Sequence, residues 1–216
     1  MSARPLELRE LLALRFPDAV PVTYGTAGAV PTGVAALDRA LPGGGLPRGR
    51  LAVWAPGGGA TAVLQAACLA AVGRGERAAW VDGGGRVTGD AWRPGPLLVR
   101  PGGGRQALAC AEELLRSGGF ALVVLAGAEA AGPDAVRLSR AARDGGAAFV
   151  ALLDGAPVAA LRLSSRLLPD GCRWRPDPFG EPAELEAVGV EARAAGMGWN
   201  RRVVFELPVA HPELRL

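Results

Sequence analysis

The sequence predicts an α/β protein in three layers, helices lying on both faces of a mostly parallel sheet, with antiparallel strands along the C-terminal edge of that sheet. Three observations predict it. Short apolar runs such as "LAVW", "AAWVD" and "FALVVLAG" alternate with helical stretches of about 12 residues, the pattern of parallel βαβ units whose strands are covered on both sides. Beyond Pro157 the helical stretches stop and alternating segments follow. A chain of 216 residues with 50% hydrophobic content suits one sizeable core better than two.

Taken in order, Pro5 to Arg15 place Leu8, Leu11, Leu12 and Arg15 at helical spacing, with Leu6 and Leu14 widening the apolar stripe. Phe16-Pro17 ends this amphipathic helix, because proline disfavours helical geometry in the residue before it. A Pro- and Gly-punctuated stretch leads on to Pro31, so residues 1–30 read as a helix and linker arm and residues 31–216 as the core domain. From Thr32 the spacing predicts a short helix at Gly33 to Ala40, the turn "LPGGGLPRG" and a strand "RLAVWA" ending at Ala55. A loop Pro56 to Gly59 and a helix from Ala60 to Val72 come next. The strand "AAWVD" ends at Asp82, and "PLLVR" is the third strand. A helix from Gln106 to Ser117, the strand "FALVVLAG", a helix from Asp134 to Arg143 and the strand "AAFVALLD" complete the α/β part. "ALRLSSRL", "AVGVEARAA" and "RRVVFELPV" read as antiparallel strands, the last two joined by a hairpin turn at "GMGWN".

Composition excludes several chemistries. No lysine occurs, and all 24 basic residues are arginine, so no lysine base, Schiff base or P-loop lysine is available. Cys68, Cys110 and Cys172 are odd in number and widely spaced, which argues against a disulfide framework or a thiolate metal site. His211 has no second imidazole to share a metal or a proton relay, and no metal or cofactor is expected. Apolar stretches fall far short of the roughly 20 residues of a bilayer span. Arg4, Glu7, Arg9 and Glu10 interrupt the place of a secretory signal, so a cytoplasmic protein is expected. The net charge of +3 is modest, although Arg162, Arg166, Arg173, Arg175, Arg193, Arg201 and Arg202 gather in the last third. Trp174, Trp199, Arg201 and Arg202 could form a stacking and phosphate-contact surface for DNA, with Arg193 a further candidate for DNA or partner contact; a solvated face with core tryptophans is the plainer alternative.

A strand, a glycine-rich loop and a helix in that order can hold phosphates, because loop amides and the helix N-terminus converge on the anion. The full motif, G-x-x-x-x-G-K-S/T, adds a lysine for the phosphate charge and a hydroxyl for magnesium. Here the run "PTGVAALDRALPGGGLPRGRLAVWAPGGGATA", followed by "AAWVD", resembles the RecA signature over roughly residues 30 to 165. That resemblance implies a RecA-like three-layer αβα sandwich. Laid on its motif, Ala55 stands at the first P-loop position, Ala60 at the last glycine, Thr61 at the lysine and Ala62 at the magnesium-binding hydroxyl. Gly57, Gly58 and Gly59 fill the loop between. The catalytic glutamate position falls at Gly84, two residues beyond Asp82, and the Walker B aspartate position at Ala126. The polar residue ending the next strand corresponds to Asp154. The resemblance thus implies the fold of an ATPase without its lysine, hydroxyl or acids, although Gly57 to Gly59 could still admit an anion through their amides.

Among RecA relatives without a working P-loop the chain is most similar to the ImuA family, accessories of damage-induced mutagenesis. The similarity lies in overall size, an N-terminal leucine-rich helix and the lead "PTGVAALDRALPGGGLPRG". It implies RecA and an ImuB-type polymerase-like protein as partners. RecA protomers join through an N-terminal helical segment packed on a neighbour, so the resemblance makes Leu8, Leu11, Leu12, Leu14 and Phe16 candidates for partner docking; the same helix folded on its own domain is the alternative. Where ImuA proteins carry an Arg-Gly-rich hairpin, this chain reads "EARAAGMGWNRR". Two other readings stay open: a SulA-like inhibitor of cell division that binds FtsZ, and a RecA-like protein with residual nucleotide binding.

Overall fold

The structure, a computed structural model, describes residues 28–87, 95–130 and 132–209. The helix expected at residues 5–15, with Leu8, Leu11, Leu12, Leu14 and Phe16, lies outside the described residues, as does His211. Ala29–Val30 (β1) already belongs to the core rather than to the arm: it pairs antiparallel with Leu46–Pro47 (β2), and Val30 is fully buried. The boundary expected after residue 30 therefore falls inside a strand pair.

The central sheet is built from Leu51–Trp54 (β3), Ala78–Asp82 (β4), Leu97–Val99 (β5), Leu122–Ala126 (β6), Ala148–Leu152 (β7), Leu161–Pro176 (β8), Pro182–Gly196 (β9) and Trp199–Pro208 (β10). Its order is β10-β9-β8-β3-β7-β6-β4-β5, with β3 to β7 all parallel, β8 entering parallel to β3, and β9 and β10 antiparallel. This is the expected mostly parallel sheet with an antiparallel C-terminal edge. Among the described residues four α-helices accompany it: Ala35–Ala40 (α1), Ala60–Gly73 (α2), Gly104–Arg116 (α3) and Gly132–Gly145 (α4).

Strand periodicity sorts the layers. In β6, Leu122 and Val124 join the core under α2 with Trp54 and Trp80, while Val123 and Leu125 join the core under α3 and α4 with Phe149 and Leu138. Helix α2 reads apolar nearly all round and buries Val63, Leu64, Ala67, Cys68 and Ala71, its alanines allowing close approach to the sheet. Helices α3 and α4 are amphipathic instead and share an ion cluster, Glu112 bridging Arg116 at 2.5 Å and Arg137 at 2.9 Å. Each helix boundary lies within two residues of expectation.

The difference from the expected pattern is at β8 and β9, which run on past the segments that alternation marks. They form a two-stranded ribbon closed by a turn in which Asp177 Oδ1 accepts from the N–H groups of Phe179 (2.8 Å) and Glu181 (2.9 Å). A ribbon solvated on both sides needs no apolar alternation, so "PDGCRWRPDPFGEPAELE" looks like loop. Backbone pairing and the contacts of Arg175 with Glu184 (2.7 Å) and Glu186 (3.0 Å) hold it. Among the described residues no helix is long and apolar enough to cross a membrane.

Candidate functional site at the carboxyl ends of the parallel strands

Strand β3 delivers the chain into Ala55 to Gly59, and α2 starts at Ala60, so the strand, glycine loop and helix stand in the order the sequence predicts. Gly57, Gly58 and Gly59 all have positive φ (100°, 55° and 88°), a conformation glycine adopts without the strain a side chain would bring. The loop is seated on the extension of β8. Ala55 N–H donates to Leu163 O at 2.9 Å, Trp54 Nε1 donates to Ser165 Oγ at 3.1 Å, and a Cβ on Gly58 would sit 1.9 Å from Ser165 O. A Cβ on Gly59 would come into ordinary contact with Leu167, Val190 and Leu207. Ala60 N–H, at the helix start, donates to Gly57 O at 3.0 Å within a tight turn.

A cleft of about 410 Å³ opens beside the loop and brings together five of the residues the motif comparison singles out: Gly57, Thr61, Asp82, Gly84 and Ala126. Gly58 and Gly59 turn toward β8 rather than into the cleft, Ala60 is buried, and Ala62 is exposed beyond the rim. Thr61 stands in the first turn of α2, on the wall of the cleft. Ala126 and Gly84 present no acid at the opposite wall. Asp82 is buried, and its Oδ2 accepts from Val87 N–H at 2.8 Å, so this carboxylate closes the turn after β4. Gly83 N–H donates to Ala126 O at 2.8 Å, and a Cβ on Gly127 would meet Gly84 N at 2.3 Å; the ends of β4 and β6 are pressed together there. Sequence reasoning passed over Arg86, the one cation among the described residues that line this cleft. The adjoining cavity of about 500 Å³ carries Glu129 and Asp154 and no basic residue among its described lining, a field that repels phosphate.

The arginine-rich hairpin is arranged differently from expectation. Strand alternation puts Trp199, Arg201 and Val203 on the side of β10 that also carries the buried Phe205 and Leu207, and Trp199 packs against the core with its indole over Gly196. Arg202 points to the other face, opposite Arg193. The stacking and phosphate surface expected from Trp199, Arg201 and Arg202 is therefore split between two faces. Arg202 and Arg193 join Arg166 around the buried Glu191, which accepts from Arg166 at 2.8 Å and from Arg202, with Arg193 Nε at 3.5 Å. The Arg166 hydrogen bond is the largest cause that lowers the Glu191 carboxyl to about 2; desolvation opposes it and Arg202 adds to it.

Thiol chemistry has no footing at the cleft, since Cys68 lies in the core, where burial pushes its thiol up to about 12. Among the described residues no group of three or more His, Cys, Asp or Glu is placed to hold a metal ion. Fold and cleft together define a three-layer α/β protein with a glycine-loop cradle whose walls carry Thr61, Gly84 and Ala126. Compared with models of protein families and with curated proteins, the chain matches none.

Proposed function

We propose that this chain is a non-catalytic RecA-like accessory protein of damage-induced mutagenesis, active in translesion DNA synthesis in the cytoplasm, and that it works by binding RecA, an ImuB-type polymerase-like protein, or both. The observation that carries the reading is the cradle: the loop and helix of a phosphate site are kept, while Thr61, Ala62, Gly84 and Ala126 occupy the positions of its cation, hydroxyl and acids. Phosphoryl transfer depends almost wholly on placed charge and metal, and losing a single such donor typically costs about 10²–10³ in rate. Four losses together leave no route to turnover. The RecA-like lead "PTGVAALDRALPGGGLPRG" and the mostly parallel sheet support the same ancestry.

Calorimetry with ATP and magnesium tests the non-catalytic half, and no saturable heat and no phosphate release are expected. Micromolar binding with measurable hydrolysis would overturn it. Partner binding is tested with purified RecA and ImuB-type protein against Leu11→Ser/Leu12→Ser. Lost binding at an unchanged Tm supports docking through the arm. A large drop in Tm defeats it, since the helix then belongs to the protein's own core.

A further inference from the structure

We infer that the groove between α4 and the start of β3 binds the phosphodiester backbone of a nucleic acid strand. It is a cavity of about 520 Å³ at the end of the sheet opposite the glycine loop, and its wall contains Arg48, Arg50, Arg140 and Arg143 with Ser139 and the Gly49 backbone. No acidic residue is among the described residues that line it. Helical spacing produces the wall, because Val136, Ser139, Arg140 and Arg143 follow the i, i+3, i+4, i+7 pattern and occupy the flank of α4 away from Glu112.

Charge accounting separates this groove from the other arginine clusters. Arg166, Arg193 and Arg202 surround Glu191; Arg173 and Arg175 meet Glu184, Glu186 and Glu206; Arg116 and Arg137 share Glu112. Arg48 has Glu76 at 2.5 Å. For Arg50, Arg140 and Arg143 no carboxylate lies within ion-pair distance among the described residues, so three exposed guanidiniums converge uncompensated on one cavity. Arg162 lies outside the lining, its guanidinium donating to Ala156 O and Pro157 O.

Guanidinium forks match phosphate oxygens, and repeated charges along a groove suit a polyanion better than a single small anion. Among the described residues that line the wall there is no aromatic ring on which a base could stack, so binding is to the backbone, independent of sequence and dependent on salt. This inference stands apart from the proposed function: it requires neither RecA nor an inactive cradle.

The test is fluorescence anisotropy of the full-length protein with a labelled oligothymidylate across a salt series. Arg140→Ala/Arg143→Ala is compared with wild type and with Arg193→Ala/Arg202→Ala. Both α4 arginines are exposed helix residues, so an unchanged Tm checks the fold. The expected result is salt-dependent binding by wild type, roughly tenfold or more weaker in the α4 variant. The log–log salt slope should also fall by about 1.4, at ~0.7 for each lost contact to a single strand. The hairpin variant should bind within about twofold of wild type, because Glu191 already compensates its arginines. Equal affinity of wild type and the α4 variant overturns the inference, and so does loss confined to the hairpin variant. Displacement of the strand by inorganic pyrophosphate at equal phosphate concentration also overturns it, identifying a free anion as the occupant.

Discussion

Glu191 shows how much a single position can hide. In the sequence it is one glutamate between apolar residues of an alternating strand; in the fold it is a buried carboxylate inside a ring of three arginines. Its carboxyl is lowered from an ordinary 4.5 to about 2. A group depressed in this way contributes stability that is complete above its unfolded value and is lost as the pH falls through its folded value. Between pH 5 and pH 2, roughly, the wild-type urea midpoint should fall more steeply than that of Glu191→Gln, and the variant should already be less stable at neutral pH. The three guanidiniums face water, so the difference should shrink with added salt. Parallel acid limbs for the two proteins would mean that the ring does not form.

At the scale of the element, the glycine loop is governed by what it rests on. Gly58 at φ 55° lies flush with the Ser165 carbonyl, and a Cβ there would be 1.9 Å from that oxygen. Gly58→Ala therefore has to move either the loop or β8, and a cost of about 1–3 kcal/mol is expected in a denaturant melt. No change in midpoint would show that the loop is not seated on the ribbon. The loop, its helix and every strand of the parallel sheet were legible from apolar runs and glycine punctuation, because burial on both faces writes itself into composition. That Gly57, Thr61, Asp82, Gly84 and Ala126 would meet was legible too, because the ends of the predicted strands and the start of the predicted helix place them at one end of the sheet. The ribbon beyond Leu168 was not, because a solvated ladder leaves no periodic trace. The splitting of Arg201 from Arg202 follows from the predicted strand itself, because neighbouring residues of a strand face opposite sides. The groove of Arg50, Arg140 and Arg143 unites residues about 90 positions apart in sequence, and only the crossing of α4 over the sheet brings them together.

Across the whole molecule, cover is unequal. The parallel strands lie between α2 on one face and α3 with α4 on the other, and β3, β6 and β7 are almost entirely buried. At the antiparallel edge, Val190, Phe205 and Leu207 pack inward, with α1 lying against β10, while Arg166, Arg193 and Arg202 face solvent on the other side. Farther out, Trp174 and Phe179 stand on the ribbon with 48% and 90% of their surface exposed. Apolar burial dominates resistance to opening, so stability should be graded along the sheet. Native-state hydrogen exchange should find the amides of β6 and β7 opening only with global unfolding, and those of residues 174–184 exchanging through a local opening of much lower free energy. Glu191→Gln should speed exchange at β9 and β10 by local opening, and at β6 only by as much as the urea midpoint reports lost in global stability, because its ring joins β8, β9 and β10. Ribbon amides as slow as those of β6 in the isolated protein would contradict the gradient and require a packing partner for the ribbon within the same chain.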